Sequence, residues 1–142
     1  MKALSFKVLC FLFFLGTLGV SGAKAQRLRV NFKVSTPFVA GDTTFPAGDY
    51  KIRTAPGTNP NMLTLSNAEG TNSVFLKCTP IKGKEAEKTV VIFHRYDKTL
   101  YLNKIFRAHD TTGNLVPTGQ SEAAEMKSGG EPKEESVSGT EQ

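Results

Sequence analysis

His94 and His109 lie fifteen positions apart, and Cys78 precedes both. A thiol and an imidazole make a nucleophile with its base when a fold brings them together. Cys78, however, continues the apolar alternation of Val74 and Leu76, so it reads as a small buried hydrophobe. A zinc site needs three or four suitable ligands, and His94, His109 and Asp110 lack the local spacing that gathers them. Asp110-Thr111-Thr112-Gly113 has the order of an aspartic-protease loop, but it occurs once and follows no suitable apolar strand, so it reads as a turn. Neither a glycine-rich phosphate loop nor a serine elbow is present. The sequence nominates no catalytic residue, no metal ligand and no cofactor, and the chain reads as non-enzymatic.

One cluster suits a ligand. Arg95 and Tyr96 face Tyr101 across a short turn, and an arginine beside aromatic rings holds anions or sugars by charge and stacking. A cross-strand contact that steadies a hairpin is the plainer use of the same residues. Arg95, Tyr96 and Tyr101 are therefore the candidate ligand-contact surface.

That cluster must be positioned by the stretch from Lys88 to Arg107. Val90 to Phe93 and Leu100 to Phe106 are rich in β-branched, aliphatic and aromatic side chains, with Asp97-Lys98 between them. Such runs fit a pleated, packed surface and predict a long antiparallel hairpin, with Phe93 and Phe106 both facing the core. Arg27 to Val34 alternates without fault, placing Leu28, Val30, Phe32 and Val34 on one face and Arg27, Arg29, Asn31 and Lys33 on the other. Period two of this kind is a half-buried strand. Asp49 to Thr54 repeats it, with Tyr50 and Ile52 inward and Lys51 and Arg53 outward. Met62 to Ser66 and Asn72 to Cys78 form a second hairpin, and Thr79 to Glu87 reads as a flexible connection. Seven or eight short strands separated by turn residues predict an all-β fold, an antiparallel sandwich or small barrel.

Residues 1–25 carry Lys2 and Lys7, an uncharged run from Val8 to Val20, and Ala23-Lys24-Ala25. This is the order of a secretory signal peptide cleaved before Gln26, and the run is shorter than the roughly 20 residues of a membrane span. The mature chain is read as exported to the periplasm or medium, with no transmembrane segment. Its 26–117 segment is one β domain with thirteen basic and seven acidic groups, whereas 118–142 has two and six. That basic excess suits anionic polysaccharide or lipid head groups, though an ordinary solvated surface explains it as well. No run of adjacent Lys or Arg marks a nucleic-acid site. From Thr118 onward Gly, Ser, Glu and Lys dominate, a composition that buries too little to offset ordering, and predicts a disordered acidic tail.

Phe32 with Pro37-Phe38-Val39-Ala40-Gly41, Phe45-Pro46-Ala47-Gly48-Asp49-Tyr50, Phe93-His94-Arg95-Tyr96, Tyr101-Leu102 and Ile105-Phe106 together resemble a family of small exported bacterial proteins, common in acidobacteria, with no assigned function. The likeness spans most of 28–115 and implies export and an all-β fold. Related sequences usually end in an arginine-rich helix, which this chain replaces with its Gly/Ser/Glu tail. The function expected is a structural or binding module acting on an envelope protein or glycan; the alternative is a barrel carrying a small apolar ligand.

Overall fold

A computed structural model describes residues 27–142. The leader expected at 1–25 and its cleavage point before Gln26 lie outside them. The described chain contains β1 (Arg29–Val34), β2 (Phe38–Ala40), β3 (Thr43–Phe45), β4 (Gly48–Thr54), β5 (Met62–Asn67), β6 (Ser73–Lys77), β7 (Thr79–Lys82), β8 (Val90–Tyr96), β9 (Thr99–Phe106) and β10 (Thr112–Leu115). A single helix, α1 (Gln120–Lys127), and a last strand, β11 (Lys133–Glu141), follow.

The fold is mostly β. Its strands join in one sheet with the order β3-β2-β9-β8-β11-β1-β4-β5-β6. β6 and β7 are separated only by Cys78; β6 pairs β5, while β7 pairs β10, which in turn pairs the end of β9. The sheet thus curls back on β9 and is nearly closed, barrel-like. Among the described residues there are eleven strands where the sequence predicts seven or eight. The excess comes from β7, in the segment read as a flexible connection, from β10, in the stretch after His109 read as a turn, and from β11.

The alternation in β1 and β4 is realised as expected. Val30, Phe32, Val34, Tyr50 and Ile52 are buried, and the two strands pair antiparallel with Val30 opposite Ile52 and Phe32 opposite Tyr50. Inside, Phe32, Phe38, Phe45, Tyr50 and Phe93 pack ring against ring at centroid separations of 4.9–6.4 Å. Leu63, Leu65, Leu76, Val91, Leu102 and Ile105 complete the core.

The long hairpin forms as predicted, with Asp97 turning the chain at φ 50°. Its second arm is not a simple alternation. Phe93 pairs Leu102 while Ile92 pairs Lys104, so Asn103 is an extra residue in β9. Because side chains alternate with period two, one extra residue reverses which face the rest present. Leu100 and Leu102 point inward before the bulge, and Ile105 does so after it. Phe106, expected in the core, instead lies half-buried on the outer face, its ring against Gly83 and Gly113.

The acidic tail is not disordered. α1 starts where Gly119 rests on the backbone of Gly41, and a Cβ there would sit 2.0 Å from the Gly41 oxygen. Asp42 Oδ1 accepts the Gln120 amide at 2.7 Å, placing a carboxylate at the positive end of the helix. β11 then enters between β8 and β1, antiparallel to both. Composition missed this because β11 contributes little apolar surface; what orders it is a double hydrogen-bond ladder and charge, to which hydrophobic patterning is blind.

Candidate functional site

Strand alternation divides the predicted cluster. On β8, His94 and Tyr96 project to the outer face and Arg95 to the opposite one, as its pairing with Leu100 and that of His94 with Tyr101 require. Tyr96 and Tyr101 are 3% and 4% exposed, packed edge to face at 5.6 Å beside Val39. The segment read as a disordered tail covers them, with Gly130 against the Tyr96 ring. Arg95 makes a two-pronged bond to Glu135 of β11, one arm Nη2 to Oε2 at 2.9 Å. The three residues therefore form no common surface, because two are roofed over and the third is neutralised on the other face.

The other candidates are equally settled by their surroundings. Cys78 is free and buried, and burial pushes its thiol up to about 12. His109 is exposed at φ 58°, with Glu85 at 3.7 Å, and Asp110 Oδ1 accepts the Thr112 amide at 2.8 Å, closing the turn. Among the described residues no three His, Cys, Asp or Glu side chains gather as a metal site would require.

His94 has a partner the sequence did not suggest. Glu122 of α1 is buried with its Oε1 3.4 Å from His94 Nδ1, and Glu134 Oε1 lies 3.8 Å from Nε2. Burial raises the Glu122 carboxyl above its ordinary value, and His94 offsets part of that rise. Lys104 Nζ meets the same Glu134 at 3.2 Å, and Arg107 Nη2 meets Glu141 at 3.3 Å. Four hairpin residues that bear or can take positive charge are thus each answered by a carboxylate from 118–142.

The opposite side of the barrel is different. The outer faces of β1, β4, β5 and β6 present their residues in rows set by register. Arg29 stands opposite Arg53, then Thr64 and Phe75; Asn31 stands opposite Lys51, then Ser66 and Ser73. Lys33 and Lys77 flank these rows, and Asp49 opposite Lys33 is the lattice's acidic member. Among the described residues, Arg29, Lys33, Lys51, Arg53 and Lys77 form no ion pair. Like charges directly opposite on a sheet are destabilising, and the one side-chain bond of the Arg29–Arg53 pair is a long one, from Arg53 Nη2 to Gln142 Oε1 at 3.5 Å. Phe75, 69% exposed, is the largest apolar group left open to solvent on the described chain. An open groove of about 490 Å3 crosses the β11–β1–β4 part of the face, lined by Asn31, Lys33, Lys51, Ser138 and Thr140 together with the single carboxylate of Asp49.

The alternating strands gave each of these side chains its outward direction, but not which strands stand side by side. The signal available in the sequence was the basic excess of 26–117 and the outward position of Phe75. No family model, curated protein or solved structure matches the chain. No helix among the described residues is long and apolar enough to cross a membrane.

Proposed function

We propose that this chain is a non-catalytic binding module of the cell envelope or extracellular space, which engages an anionic glycan through the outer face of β1, β4, β5 and β6. The observation that carries the reading is the set of five unpaired cations on that face, with Arg29 directly opposite Arg53. Serine, threonine and asparagine side chains between the charges suit sugar hydroxyls, and the open ring of Phe75 offers a stacking platform. The sequence pattern of a leader read at 1–25 and the resemblance to exported bacterial proteins support a setting outside the cytoplasm, where anionic polymers are chiefly glycans. The carrier alternative needs a lumen, and the aromatic packing of Phe32, Phe38, Phe45, Tyr50 and Phe93 speaks against it.

Retention on an immobilised polyuronate and on neutral dextran tests the proposal. The protein is expected to be held by the polyuronate alone and to elute with modest salt, since exposed charges are screened within about 10 Å at 0.1 M ionic strength. Lys51→Glu with Arg53→Glu abolishes retention, and Phe75→Ala weakens it. Failure to bind at low salt, or equal retention of the charge-reversed variant, refutes the reading.

A further inference from the structure

We propose that β11 is an exchangeable strand, and that the slot between β1 and β8 also accepts residues 133–141 of a second copy of this chain. This goes beyond the glycan reading: β11 reaches that face only through Ser138 and Thr140 at the groove's edge, and none of the five cations lies on it. β11 sits between two strands whose inward side chains form the core, yet it lends that core only half-buried Val137. Withdrawing it draws no large side chain out of the barrel. Its hold is a pair of backbone ladders, Lys133–Ser138 on β8 and Gly139–Glu141 on β1, with carboxylates reading fixed positions. Glu135 meets Arg95, Glu134 meets Lys104, and Glu141 accepts from Thr89 Oγ1 at 2.6 Å. These are the terms on which an edge strand binds an extended peptide.

The occupant follows from the same facts. An open slot leaves β1 and β8 with unpaired edges, which seek another strand. The carboxylate spacing that the slot reads is carried by this chain's own acidic tail. Ser128 to Gly130 close the end of α1 with backbone bonds to Ala124, Met126 and Glu125, and Gly130 rests on Tyr96, so the joint about which the strand turns outward is exposed Glu131 and Pro132. Two opened copies each supply a donor strand and an acceptor slot, and a reciprocal exchange restores every contact of the closed form. A short flexible tether gives the chain's own strand an effective concentration on the order of mM. Dilute copies therefore stay closed, and exchange grows with local concentration.

The experiment uses two variants of the mature chain from Gln26 onward, Ser136→Cys and Ile92→Cys, each retaining buried Cys78 as its one other cysteine. Ser136 and Ile92 are directly opposite across β11 and β8, and such antiparallel partners lie about 4.5–5.5 Å apart, within disulfide reach. Neither variant can close this bridge within itself. Mixed under mild oxidation, they are expected to yield a disulfide-linked heterodimer that increases with concentration. It should exceed several-fold the yield of Ser136→Cys mixed with Thr64→Cys, a position on the far face. The double variant in one chain should close its bridge internally, fixing the register. Equal heterodimer from the two mixtures, or no internal bridge in the double variant, overturns the proposal.

Discussion

Phe93 and Phe106 show how one residue decides the fate of another. Both belong to apolar runs, but the extra Asn103 turns Phe106 outward and leaves Phe93 fully buried. Truncating Phe93 to alanine is expected to cost about 3–5 kcal/mol, the range for a buried phenylalanine. Phe106→Ala should cost clearly less, and urea unfolding of the two variants measures the gap; equal losses would contradict the bulge. Glu122 yields a second test at this scale. Its folded-state value is raised by burial, so relative to the unfolded chain its contribution is most favourable below the ordinary value of 4.5 and declines as pH rises through the raised value. Glu122→Gln lacks that titration. The stability difference between variant and parent should therefore move in the variant's favour as pH rises, and a difference constant with pH would rule out the burial argument. None of this was legible in the sequence, because a bulge has no composition and the Glu122–His94 contact joins residues 28 positions apart.

At the scale of elements, the strands with strict alternation were legible and β11 was not. Period two reports a face turned to a core, as in β1 and β4, whereas Lys133–Glu141 has only Val137 to bury and satisfies its backbone instead. The candidate surface on the hairpin failed for the same reason: Tyr96 and Tyr101 were rightly placed on one hairpin, but the covering segment could not be foreseen. Two changes test the element. Gly139 lies where a Cβ would stand 2.6 Å from Val30 Cγ1 and 3.1 Å from Thr89 Cγ2. Gly139→Ala should accordingly cost about 1–3 kcal/mol, the range for overpacking a tight site. Removing 133–142 should lower the melting temperature and raise light scattering, since it bares the β1 and β8 edges. A truncated chain that melts like the parent would show that β11 contributes nothing to the fold.

Across the whole molecule, charge is partitioned rather than spread. The sequence displayed the imbalance between 26–117 and 118–142 but not its geometry, which sets the tail's carboxylates against the hairpin and leaves the β1–β4 face cationic. This arrangement makes the two sides respond differently to acid. The bond from Arg95 holds the Glu135 carboxyl below its ordinary value, and Thr89, then Arg107, hold that of Glu141 below its own. For carboxyls lowered in the folded state, the stabilisation is complete above the ordinary value of 4.5 and is lost as pH falls through the lowered values. β11 should therefore loosen in that acid window, while the arginines and lysines of the outer face keep their charge. Melting temperature followed by far-ultraviolet circular dichroism should fall below about pH 4.5 in the parent and fall less steeply in Glu135→Gln/Glu141→Gln, which lacks both titrations. Retention on a sulfated polysaccharide, still anionic at that pH, should persist in both until the barrel itself unfolds. If binding disappears together with the first loss of β11, the cationic face and the strand slot are one site, and the division of labour drawn between them is wrong.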